Sequence, residues 1–156
     1  MLSKINFLTA GESHGKGLMG IIDGIPSGLS LEIKYINFHL MRRQKGFGRG
    51  GRMKIEKDQV EIYTGIRYGQ TLGSPIGFLI KNIDYKNWTE IMSVEKKAIQ
   101  ADKITLPRPG HADLAGVMKY QFNDIRNVIE RSSARETTMR VALGSICRKL
   151  LEELNI

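Results

Sequence analysis

Two short apolar runs of strand length, Ile5 to Leu8 and Leu18 to Ile22, flank the polar, glycine-rich stretch Gly11-Glu12-Ser13-His14-Gly15-Lys16-Gly17. This pattern predicts a hairpin-like strand pair with a polar tip. After breaks at Asp23-Gly24 and Pro26-Ser27-Gly28, Ile33, Ile36 and Leu40 recur at helical spacing. They predict a helix over about 32–43 that delivers Arg42 and Arg43 at its end. Val60, Ile62 and Thr64 alternate with Glu61 and Tyr63 as in a half-buried strand, Gly65 to Gly73 turns, and Pro75 to Ile80 is a fuller apolar strand. The last two strands are expected to pair antiparallel. From Lys81 to Thr105 the pattern is weak and reads as loop with a helical turn, its one tryptophan being Trp88.

Pro107 and Pro109 then fix an extended approach to His111 ahead of a short helix whose apolar face is Leu114, Val117 and Met118. Ile125, Val128 and Ile129 give another helical turn or two. Ser133 followed by Glu136 is a capping box, so a final helix is expected from Ala134 to about 154, with Val141, Ile146, Leu150 and Leu154 on its buried side.

The 156 residues fit one domain with no internal boundary, and no apolar run approaches the ~20 residues of a membrane span. The N-terminus lacks the apolar core of a secretory signal, so a cytoplasmic protein is expected. Cys147 is the single cysteine, and His14, His39 and His111 are the only histidines, a set with no zinc-ligand spacing; no metal site is expected.

Charge changes the picture more than composition does. The formal net charge is +8, and Arg42, Arg43, Lys45, Arg49, Arg52 and Lys54 crowd into one stretch with no acidic residue between them. Interleaved Gly46, Gly48, Gly50 and Gly51 let backbone N–H groups and guanidinium forks converge on an anion. A solvated loop, an RNA-binding Arg/Gly segment and a site for a small phosphorylated ligand all fit this stretch alone. A second anion site is expected at the start of the last helix, where free N–H groups and the macrodipole join Arg131, Arg135, Ser132 and Ser133. His14 and His111 sit on loops stiffened by glycine or proline, which suits proton transfer near neutral pH, whereas His39 reads as structural. There is no P-loop and no nucleophile-elbow serine, and Gly46 to Gly51 follows a helix, the wrong context for a dinucleotide turn.

Four ordered motifs carry a resemblance: Gly11-Glu12-Ser13-His14-Gly15, Arg42-Arg43 through Gly46 to Arg49, Arg108-Pro109-Gly110-His111-Ala112-Asp113, and Arg131-Ser132-Ser133-Ala134-Arg135-Glu136-Thr137. In these the chain resembles chorismate synthase, from Phe7 to the end of the last helix, over only the first part of that family's length. The resemblance implies an α+β sandwich of antiparallel sheets and helices, and a homotetramer when full length. It implies conversion of 5-enolpyruvylshikimate 3-phosphate to chorismate by 1,4-elimination of phosphate and a proton, with reduced FMN as cofactor and NADPH as an external or intrinsic flavin reductant. His14 is then the proton donor to the departing phosphate, and His111 sits at the flavin as a second proton donor. Arg43, Arg49, Ser13 and Arg135 fall to the anionic substrate or NADPH, and Arg131, Ser132 and Ser133 to FMN.

Family members carry further flavin- and substrate-binding residues that do not appear in this chain. The isolated polypeptide is therefore expected to bind FMN weakly and to be catalytically incompetent. A silent fragment and an RNA-binding module using residues 42–54 are the alternatives. Glu32, at the start of the first helix, departs from the family's usual Ser or Thr cap.

Overall fold

A computed structural model describes residues 4–45, 55–97 and 101–156. The predicted hairpin forms from β1 (Asn6–Ala10) and β2 (Gly17–Asp23), antiparallel with Leu8 opposite Ile21. Next come α1 (Ile33–Gln44), β3 (Val60–Ile62), β4 (Ile66–Arg67), β5 (Gln70–Thr71) and β6 (Ile76–Lys81). β6 lies between β2 and β3, antiparallel to both, which gives a four-stranded sheet of order β1-β2-β6-β3. Chain reversal over 65–73 is a small hairpin of β4 and β5, whose tip residues Tyr68 and Gly69 both take positive φ, as a tight primed turn requires.

One face of the sheet is dry. Leu18, Ile22, Ile76, Phe78 and Ile80 point from β2 and β6 onto Ile36 and Leu40 of α1 and onto Met139, Ala142, Leu143 and Ile146 of α4 (Thr137–Glu153). Each such side chain contributes about 1.5–3 kcal/mol by leaving water. Gly20 sets how closely α4 approaches, because a Cβ there would lie 2.5 Å from the Met139 sulfur. Helices layered on an antiparallel sheet make the architecture α+β, as expected. None of the described helices is long and apolar enough to cross a membrane.

Three local expectations need correction. The last α-helix starts at Thr137, after a 3-10 turn over Ala134–Glu136. Ser133 Oγ does cap that turn, accepting from Arg135 N at 3.2 Å, but the Glu136 carboxylate turns to Thr9 Oγ1 and Arg140 Nε. Leu154 is 61% exposed because it follows the last turn of α4, while Thr138 and Ser145 take interior positions, Ser145 satisfying its hydroxyl on Ala142 C=O. Leu114 and Met118 of α2 (Asp113–Tyr120) are 58% and 71% exposed. That helix instead packs through Gly116 onto Val128 of α3 (Arg126–Arg131).

Candidate functional site

The tip of the β1–β2 hairpin is tied to α3. Ser13 N donates to Glu130 C=O at 2.9 Å, and His14 N donates to Glu130 Oε2 at 2.7 Å. The His14 ring brings Nδ1 within 2.9 and 3.0 Å of the two Glu130 carboxylate oxygens. Its other side lies against Trp88, with centroids 3.8 Å apart and planes 23° off parallel. Trp88 is itself fixed, since its indole Nε1 donates to Asp84 Oδ2 at 3.1 Å. His14 thus keeps 22% of its side-chain surface in water while its orientation is set from two sides.

Behind this loop lies a buried ionic network. Asn82 Nδ2 donates to the carbonyls of Glu12 (3.1 Å) and Gly15 (2.8 Å), which holds the loop's shape. Asn82 Oδ1 accepts in turn from Arg135 Nε at 2.9 Å. Arg135 Nη1 pairs with Asp58 Oδ1, and Nη2 lies 3.7 Å from Glu56 Oε2. Glu56 accepts from the backbone N–H groups of Ile83 and Asp84, so the network also sets the 3-10 turn (Ile83–Asn87) that leads into Trp88. Arg135, expected at an anion site at the start of the last helix, is an interior residue only 6% exposed. Its guanidinium braces the loop that carries His14.

Arg43 comes in from the end of α1. It donates through Nη2 to Ala134 C=O and Thr137 Oγ1, each at 2.9 Å, and Nη1 lies 3.7 Å from Asp58 Oδ2. Arg131 Nη2 donates to Thr9 Oγ1 at 2.9 Å, and Nη1 lies 3.7 Å from Glu136 Oε1. Burial would raise the Glu136 carboxyl, but hydrogen bonds from Arg140 and Thr9 and the Arg131 charge outweigh it and hold it below the usual range. Ser132 Oγ donates to Val128 C=O at 2.7 Å. Residues 131–137 thus gather the Arg43, Ser132, Ser133 and Arg135 side chains or their partners around one turn. Arg49 lies outside the described residues.

His111 is exposed on the turn before α2, its backbone N–H donating to Arg108 C=O. The turn is locked by Asp113, which accepts from Arg108 N, Nε and Nη2 at 2.9, 2.8 and 2.9 Å. The Arg108 guanidinium is the main reason the Asp113 carboxyl falls to about 2, against the upward push of its complete burial. Between α2 and α3 runs an apolar groove of about 290 Å³, lined by Ala112, Gly116 and Phe122 together with Lys119, Arg131 and Ser132. Its floor is apolar and carries cationic and hydroxyl side chains. A Cβ on Gly116 would press on Val128 at 2.5 Å, so the glycine keeps the two helices close under that floor.

α3 is the common scaffold, Glu130 holding the His14 loop and Val128 seating the helix that follows His111. Sequence reading named both histidines and the arginines as candidates but missed Glu130, Trp88, Asn82, Glu56 and Asp58. Only the lone Trp88 in a polar stretch gave any signal.

The family model described as chorismate synthase matches residues 5–156. A Streptococcus mutans chorismate synthase is 62% identical over 155 residues, covering 97% of this chain and 40% of the relative. An Enterococcus faecalis chorismate synthase is 61% identical with the same coverage. A crystal structure of a chorismate synthase aligns with a TM-score of 0.74 at 43% identity, covering 98% of this chain and 36% of that one. The chain spans about two fifths of the length of the curated relatives it matches.

Proposed function

Because the chain belongs to the chorismate synthase family, we propose that it supplies the proton-donating part of a phosphate lyase site that turns 5-enolpyruvylshikimate 3-phosphate into chorismate and inorganic phosphate. The observation that carries this reading is the His14 imidazole, held on Glu130 immediately before Arg131 in the chain. A fixed acid is what a departing phosphate needs. His14 gives its proton to the leaving phosphate oxygen. Ser13, Arg43 and Arg49 are the candidates for the substrate's anionic groups, the Arg43 side chain being only 7% exposed and already donating to Ala134 and Thr137. Arg135 acts from behind, through Asn82.

Arg131, Ser132 and Ser133 would hold FMN at the α2–α3 groove, whose lining includes Arg131 and Ser132, and His111 would be its proton donor. When bound, reduced FMN supplies transient electron density that eases loss of the phosphate. NADPH as reductant, a cytoplasmic location and a homotetramer belong to the same reading.

The test is a chimera in which this chain replaces the matched segment of the Streptococcus mutans relative. Under anaerobic conditions with chemically reduced FMN, it is expected to form chorismate, followed by ultraviolet absorbance. His14→Ala should lower kcat by about 10²–10⁴. A folded chimera without product, or a His14→Ala chimera of undiminished rate, would overturn the proposal. The chain alone is expected to give no product.

A further inference from the structure

Glu130 and Trp88 do more than hold a loop. We infer that they are positioning residues that fix His14 in one tautomer, with Nδ1 protonated and Nε2 as the one ring nitrogen that exchanges a proton with substrate; this rests on the lyase reading of His14 for its chemistry, though not for its geometry.

A carboxylate only accepts, and both Glu130 oxygens lie at hydrogen-bond distance from Nδ1. Nδ1 must therefore carry hydrogen in the neutral ring. Among the described residues Nε2 has no hydrogen-bond partner, so the proton is gained and lost there. Glu130 Oε2 also takes the His14 backbone N–H at 2.7 Å, and the Glu130 carbonyl takes that of Ser13. Loop and ring thus share one anchor, and the ring cannot swing out without breaking bonds on both. Trp88 sets the remaining freedom. Its face, 3.8 Å from the imidazole, blocks rotation about the Cβ–Cγ bond, and Asp84 keeps the indole from following. Arg126 lies 5.7 Å from the Trp88 ring, adding a cation to the stack. Glu130, only 3% exposed, is too deep to meet a substrate, so its role is exerted through His14.

The test begins with the chain labelled with ¹⁵N, its ring nitrogens read by long-range proton–nitrogen correlation at about pH 8.5, above the ordinary histidine range. His14 is identified by its loss in His14→Ala. The expected spectrum has Nδ1 pyrrole-like and Nε2 pyridine-like. Glu130→Gln, whose amide oxygen still accepts, should keep that pattern, whereas Glu130→Leu should mix the two tautomers. In the chimera, Glu130→Gln is expected to lower kcat about tenfold and Glu130→Leu at least about a hundredfold, with KM within about twofold in both.

A wild-type His14 protonated mainly on Nε2 would overturn the inference, as would a Glu130→Leu chimera with unchanged kcat. If Glu130→Leu does not fold, the wild-type and Glu130→Gln spectra decide. An inactive wild-type chimera would remove the lyase reading, and the tautomer measurement would then decide the positioning role by itself.

Discussion

Replacing Arg135 by alanine separates a brace from a ligand-binding arginine. The substitution removes the hydrogen bond to Asn82 Oδ1, the ion pair with Asp58 and the charge 3.7 Å from Glu56, all in the interior. Removing one member of a buried ion pair costs about 3–5 kcal/mol, because the partner charge stays desolvated. Here the lower end applies. Asp58 keeps Arg43 Nη1 at 3.7 Å, and Glu56 keeps the backbone donors of Ile83 and Asp84. A loss of about 3 kcal/mol in a chain of this size lowers Tm by roughly 6–12 °C. Urea unfolding followed by Trp88 fluorescence and by circular dichroism measures it, and Trp88 is well placed because Glu56 holds the turn before it. A partner substitution sharpens the test, since Asp58→Asn should cost less in the Arg135→Ala background than alone. A loss below about 1 kcal/mol, the scale of an exposed pair, would refute the reasoning and return Arg135 to the anion-binding role expected of it.

Asp113→Asn tests the lock behind His111. A carboxyl lowered from 3.8 to about 2 stabilises the fold above its unfolded value and loses that contribution as pH falls through about 2. Since Arg108 is 41% exposed, the penalty at pH 7 should be about 1–2 kcal/mol. Thermal unfolding across pH should show it vanish in strong acid, and a constant penalty would exclude the ionic explanation. Gly11→Ala should cost about 1–3 kcal/mol and disturb the His14 loop, because φ there is +112° and a Cβ would meet Gly17 O at 2.5 Å; an unchanged midpoint in urea would contradict it. Ile146→Ala, in the fully buried face of α4, should cost about 2–5 kcal/mol by the same assay, and less than 1 would mean the helix repacks.

The strands and α1 were legible from short apolar runs, from the alternation in β3 and from the helical spacing in α1, and β3 pairs with β6 as expected. The histidine loops were legible because glycine and proline punctuate them. Periodicity misled where an element touches the core through something other than a large apolar side chain. α2 packs through Gly116, so Leu114 and Met118, the residues that looked buried, face water. α4 turns Thr138 and Ser145 inward because nearby groups satisfy their hydroxyls, Arg135 beside Thr138 and the Ala142 carbonyl beside Ser145.

Three of the residues that escaped sequence reading share a property that bears on function. Glu56, Asp58 and Glu130 are buried acids, as is Asp113 of the His111 motif. Each has a local partner, whether backbone N–H groups, an arginine or His14. Arg135 is the buried cation beside Glu56 and Asp58. Among the described residues the buried charged side chains are therefore mostly acidic. On the lyase reading, the exposed Arg131 adds to the chain's net positive charge, which would draw a polyanionic substrate toward the His14 loop from beyond contact distance. Raising ionic strength should then weaken substrate capture, read as kcat/KM of the chimera, more than it slows kcat. Equal sensitivity of the two would mean that these charges act only in contact with the substrate.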